Sequence, residues 1–243
     1  MISKQHVDAG VTVLAKETPE RILSKPDGSV RGIKLASGKE IEADLVVFGR
    51  GVTPATGFLK EAGLDMQADG GVSCNPFLQT SNDDIFAAGD IVSYPYWVNG
   101  KRTRTEHWNV ALDQGSYAAF NMLGKLIPYG EIPFFWTRNY NKSIQYCGNG
   151  ADATSHHIEG DVMAHKFVCY YINDEDKVVA VAAMGQAQAL LTLKEAMQQG
   201  QMPKASAIKH GNETVDTIKN RLKQNVGGGA CKRANCCQKK AKI

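Results

Sequence analysis

Short apolar runs separated by turn residues dominate the first half of the chain. Runs at 11–14, 30–35 and 45–48 have strand length, and Asp27-Gly28 and Ser37-Gly38 supply the turns. Leu45-Val46-Val47-Phe48 is unbroken by polar residues, which predicts a strand buried on both faces. It closes on Gly49-Arg50-Gly51, with Pro54 just beyond. Ile85, Phe86, Ala87 and Ala88 form a second such run, too short for a helix, that ends in Gly89-Asp90. Asn99-Gly100 predicts a hairpin turn between Tyr96-Trp97-Val98 and the basic stretch 101–104. Helical spacing follows over 106–124, through Val110, Ala111, Leu112, Ala118, Ala119, Met122 and Leu123, with Gly124 as the stop.

The pattern changes after Pro128. An aromatic stretch, Pro133-Phe134-Phe135-Trp136-Thr137, precedes three predicted strands at 143–147, 165–172 and 178–184. Leu190, Leu191, Leu193, Ala196 and Met197 then recur at helical spacing, up to Gly200 and Pro203. A meander covered by one helix is a small α+β domain. Residues 204–243 carry little apolar material, contain Gly227-Gly228-Gly229 and end in a basic segment, so a mobile tail is expected there.

Composition adds limits rather than a function. A formal net charge of +3 is too small to argue for a nucleic-acid or membrane partner. No apolar stretch approaches the roughly 20 residues of a membrane-spanning helix. Cys74, Cys147, Cys169, Cys231, Cys236 and Cys237 show neither a CxxC pair nor zinc spacing, and a reducing compartment is expected. His156, His157 and His165 have no carboxylate or cysteine at ligand spacing and read as part of a polar loop.

The segment 80–90, TSNDDIFAAGD, carries the most chemistry. Gly89 would let a ligand approach the backbone, and the Asp90 carboxylate at the end of a strand can accept hydrogen bonds from sugar hydroxyls. These residues alone fit equally a strand closed by a capping aspartate. The order of the flanking motifs adds to them: a hairpin at Ser37-Gly38 leading through Asp44 to Gly51 and Pro54, then 80–90, then Glu106-His107-Trp108 opening a helix, then 133–137.

In that order the chain resembles the apoptosis-inducing-factor-like and ferredoxin-reductase-like flavoproteins, over roughly residues 6–203, and most nearly the Rieske-linked branch. The resemblance implies an α/β fold: the C-terminal part of a two-dinucleotide-binding-domain flavoprotein followed by a small α+β domain. Residues 1–50 would end an NAD(P)-binding domain and 51–128 would be the C-terminal segment of an FAD-binding domain. Residues 129–203 would be the reductase C-terminal, dimerisation-like domain, and 204–243 the tail. The resemblance also implies FAD and NAD(P)H as cofactors, with Asp90 on the ribityl chain. Glu106, His107 and Trp108 would run past the pyrimidine edge of the flavin, Trp136 would lie near its ring system, and Gly51 would leave room for the nicotinamide nucleotide. Each of these residues also has a plain use: core aromatics for the tryptophans, a helix-end acid for Glu106, a structural imidazole for His107.

Dinucleotide pyrophosphates rest on glycine-rich turns at helix N-termini. Gly148-Asn149-Gly150-Ala151-Asp152-Ala153 fits GxGxxA, but Thr154-Ser155-His156-His157 does not continue as an amphipathic helix, and neither phosphate turn is found. The expectation is therefore the C-terminal half of an NAD(P)H oxidoreductase, inactive by itself, whose parent passes hydride to FAD and electrons to an acceptor such as a Rieske or other iron–sulfur module. The alternatives are a fragment of a pyridine nucleotide-disulfide reductase and a non-catalytic binding or apoptosis-signalling module. A mitochondrial or a cytoplasmic location suits the resemblance.

Overall fold

The computed structural model describes residues 2–59 and 61–226. They fall into two compact units that part between Thr53 and Pro54. In the first unit, α1 (Ile2–Asp8) precedes an antiparallel sheet of β1 (Pro19–Ser24), β2 (Val30–Leu35) and β3 (Glu40–Glu42), in that order. Both predicted turns connect these strands, and Gly28 and Gly38 take φ values of +85° and +87°. Gly32 serves packing instead: a Cβ there would lie 2.2 Å from the Ile41 carbonyl oxygen.

Two expectations for this unit fail. Residues 11–14 form no strand, and residues 45–48 are unpaired, with Leu45 76% and Val47 81% exposed. An apolar run becomes a buried strand only where neighbouring strands take up its backbone groups, and no described residue pairs with this one.

The second unit has one core shared by the segments expected to be separate domains. The parallel strands β4 (Val72–Ser73) and β5 (Val92–Pro95) place Val72, Cys74 and Val92 at its centre. β5 turns through Asn99-Gly100 into β6 (Arg102–Thr103), as the dipeptide predicts. Residues 85–88 form no named strand. They make one isolated bridge, Gln79 with Phe86, and their backbone bonds return to Leu78 and Thr80. α2 (Trp108–Met122) follows, with Val110, Gln114, Ala118 and Asn121 buried.

A five-stranded antiparallel sheet completes the unit, in the order β7 (Phe134–Asn139), β8 (Lys142–Gly148), β11 (Val178–Met184), β10 (Lys166–Ile172), β9 (Ser155–Asp161). The segment with His156 and His157 is thus a polar edge strand and not a loop, paired along its length with β10. α3 (Ala187–Gln198) buries Leu190, Leu193 and Ala196 completely against a sheet face where Cys147 and Val181 are equally buried.

The mobile tail expected from residue 204 is corrected as far as 226. α4 (Ala205–Lys209) and α5 (Val215–Val226) are helices, and Ile208, Ile218 and Leu222 join the core. Two apolar residues at i and i+4 suffice for α5 because α3 supplies the opposing surface. Residues 227–243, including Cys231, Cys236 and Cys237, lie outside the described residues. Among the described residues no helix is long and apolar enough to cross a membrane.

Burial pushes the thiols of Cys74 and Cys147 up, to about 11 and about 12. The reactive thiolate is therefore scarce at both positions. Both are expected to escape alkylation at about pH 8 in the native chain and to react after denaturation, as read by peptide mapping. Fast native labelling of Cys147 would contradict the packing of α3 on the sheet.

Candidate functional site

The two segments with the richest sequence signal, 89–90 and 104–108, are joined by one side chain. Arg104 Nε donates to Asp69 Oδ2 at 2.8 Å, and its Nη1 donates to the Asp90 carbonyl at 3.0 Å and to Glu106 Oε1 at 2.5 Å. Its charge holds the Asp69 carboxyl below the usual carboxylate range, chiefly through that hydrogen bond. Sequence reasoning passed over Arg104, since it forms part of no short motif.

From the opposite side, the buried Gln114 of α2 accepts a hydrogen bond from the Gly89 N–H at 2.8 Å. Gly89 takes φ of +87°, and a Cβ there would touch the Ala111 side chain at 3.5 Å. Glycine is required by the conformation and helps α2 lie close. The turn thereby leaves Asp90 exposed, with no described residue hydrogen-bonded to its carboxylate.

Residues 103–107 form one wall of a cleft of about 530 Å³, and Pro133, Tyr146, Gly148, Asn149 and Ala151 form the other. Asn149 Nδ2 ties the walls together through Thr103 Oγ1 at 3.0 Å, as does Lys101 Nζ through Asp152 Oδ1 at 2.8 Å. The GxGxxA segment is part of this wall. It makes a single 3₁₀ turn, Gly150–Asp152, capped by Asn149, and enters no longer helix. Gly148 has φ of +93°, and a Cβ on it would lie 2.4 Å from the Val179 carbonyl oxygen, so its glycine serves strand packing.

His107 precedes α2 in extended conformation without a side-chain cap bond, so the first backbone N–H groups of the helix receive no capping side chain. Its Nδ1 is buried and has no hydrogen-bond partner among the described residues. Burial holds its pKa below the ordinary histidine value, against the opposing pull of Asp90 and Glu106. The ring rests on Phe135, with centroids 4.7 Å apart.

Glu106, His107 and Asp90 therefore gather around Arg104, and Trp108, 83% exposed, begins the helix beside them. Trp136 does not line the cleft. Strand alternation sets it on the face of β7 opposite Phe135, whose paired residue Tyr146 does line it. Phe135 does not line it either; its ring packs on His107 and Tyr146, which do. Gly51 belongs to the first unit, with φ of +80°, and a Cβ on it would meet no heavy atom within 4 Å.

An N-terminal antiparallel sheet, a glycine–aspartate turn clamped to a helix entry, and a five-stranded sheet with a covering helix make this a mixed α/β protein. Residues 1–115 match the pyridine nucleotide-disulphide oxidoreductase family and residues 134–217 the reductase C-terminal family. Over these two stretches the chain is similar to the pyridine nucleotide-disulphide oxidoreductases that carry a reductase C-terminal domain, and among them to apoptosis-inducing-factor-like and ferredoxin-reductase-like proteins. It is 35% identical to apoptosis-inducing factor 3 of Mus musculus over 179 residues, 73% of this chain and 29% of that protein. It is 28% identical to the ferredoxin–NAD(+) reductase component of an anthranilate 1,2-dioxygenase system from Burkholderia cepacia, over 82% of this chain and 48% of the relative. A ferredoxin reductase structure from Rhodopseudomonas palustris superposes with a TM-score of 0.78 at 24% identity, covering 84% of this chain and 50% of that one. The chain thus spans half or less of the length of these relatives.

Proposed function

We propose that this chain forms the flavin-facing part of an FAD-dependent NAD(P)H oxidoreductase whose acceptor is an iron–sulfur protein of the ferredoxin type. The observation that carries the reading is the single constellation in which Arg104 joins the Asp90 turn to the start of α2. The residues fit a flavin nucleotide. Asp90 offers an exposed carboxylate, hydrogen-bonded to no described residue, for a polyhydroxyl chain. The uncapped N–H groups of α2 suit the electron-rich oxygens of a pyrimidine-like ring edge, and the buried Nδ1 of His107 offers a further polar contact.

FAD supplies a centre that accepts hydride from a nicotinamide and releases electrons to an acceptor. The chain's own residues bind and orient. Asp90 holds the sugar-like chain, the start of α2 polarises the ring edge, and Tyr146 narrows the cleft against water. His107, neutral at neutral pH, adds a polar contact without a competing charge. The ferredoxin reductases to which the chain is similar support the iron–sulfur acceptor. Thiol–disulfide chemistry is not favoured by the described cysteines, because burial raises the thiol pKa of Cys74, Cys147 and Cys169 alike.

This sequence contains no glycine-rich pyrophosphate turn, so the chain by itself is expected to hold FAD weakly. It should emerge colourless from a desalting column yet quench the fluorescence of added FAD saturably. A titration without saturation would reject the flavin reading, and a stoichiometric yellow protein after desalting would reject weak binding.

A further inference from the structure

We propose that Arg104 is a positioning residue for this site, one that makes the Asp90 turn and the entry of α2 a single rigid receptor. The inference rests on the flavin reading above and goes beyond it by naming a residue that need not touch the ligand.

Three observations carry it. First, the guanidinium addresses three acceptors from separate segments: the carboxylates of Asp69 and Glu106 and the main-chain carbonyl of Asp90. A planar fork can serve divergent acceptors in this way, whereas an ammonium acts as a point charge. Second, the side chain is only 17% exposed and lies on Gly71, where a Cβ would approach Arg104 Cδ to 3.1 Å. This is no flexible surface ion pair of the kind that contributes little. Third, the Gly89–Asp90 turn is held at both ends, at the Gly89 N–H by Gln114 and at the Asp90 carbonyl by Arg104. The backbone of Asp90 is thus fixed, while no described residue hydrogen-bonds its carboxylate. Such an arrangement fixes the backbone position from which that carboxylate extends before a ligand arrives, which lowers the ordering cost of binding.

A double-mutant cycle on the full chain, read by quenching of FAD fluorescence, tests the proposal. Arg104→Gln is expected to weaken FAD about tenfold, and Arg104→Lys by a similar factor because the fork is lost. The double variant Arg104→Gln/Asp90→Asn should lose clearly less affinity than the sum of the two single losses, since Arg104 acts in part through Asp90. Additive losses, full retention of affinity in Arg104→Gln, or full rescue by lysine would overturn it. If Asp90→Asn itself leaves affinity unchanged, the flavin reading fails, and the clamp is then judged without ligand by amide hydrogen exchange. Arg104→Gln should speed exchange at Val92, whose N–H bonds the Gly89 carbonyl, and at Ala111, bonded to the His107 carbonyl, while Asp90→Asn should not. Equal protection of both amides in Arg104→Gln and the unmodified chain would overturn the clamp whatever the flavin result.

Discussion

Ending the chain after Pro203 is expected to unfold the C-terminal sheet domain and not simply to shorten a tail. Ile208, Ile218 and Leu222 are at most 7% exposed, and all three belong to the core. Burying one such side chain is worth roughly 1.5–3 kcal/mol, so three together rival the roughly 5–15 kcal/mol that holds a whole domain folded. Ile218→Ala by itself should cost about 2–5 kcal/mol, read as a lower urea midpoint at unchanged slope. A truncated chain with an unaltered midpoint would show that α4 and α5 contribute nothing to the core. The docking also has a pH signature. Ser206 donates from its N–H and its hydroxyl to Asp176, which lowers the Asp176 pKa from 3.8. A carboxyl lowered on folding stabilises the folded state above its unfolded pKa, and this contribution is lost as pH falls through the lower folded value. Asp176→Asn should therefore lower the urea midpoint at neutral pH, and the difference from the unmodified chain should shrink under acid.

Replacing Asp90 with alanine is expected to lower FAD affinity about tenfold to a hundredfold, because a hydrogen bond to a charged acceptor is worth roughly 1.5–3 kcal/mol. The carboxylate is exposed and makes no hydrogen bond to a described residue, so its removal should leave stability within about 0.5 kcal/mol. Asp84→Ala is the control: it removes another exposed carboxylate from the same loop and should leave FAD affinity unchanged. Flavin fluorescence titration and urea unfolding on both variants separate the outcomes. Unchanged affinity with a lowered unfolding midpoint would make Asp90 a structural cap.

Much of the site was legible because it is written in local signals. A glycine is needed where the chain must take positive φ before Asp90, and Asn99-Gly100 turns β5 into β6 through chemistry confined to a few residues. The apolar spacing of α2 and the apolar strands β10 and β11 report burial directly, since their side chains fill the core whatever surrounds them.

The amino-acid sequence by itself determined the hairpins, α2, α3, the central strands of the C-terminal sheet and the glycine–aspartate turn, all features whose cause lies within a few residues. Tertiary structure alone decided the rest. Arg104 meets Asp69 from 35 positions away, and no periodicity announces a salt bridge at that range. β9 is a strand only because β10 pairs with it, although its own residues are mostly polar. α5 is anchored by two apolar residues because α3 offers them a surface, whereas Leu45-Val46-Val47-Phe48, the more apolar segment, pairs with no described strand. Apolar pattern measures what a segment can bury, and only the neighbours that the fold brings to it decide whether it does.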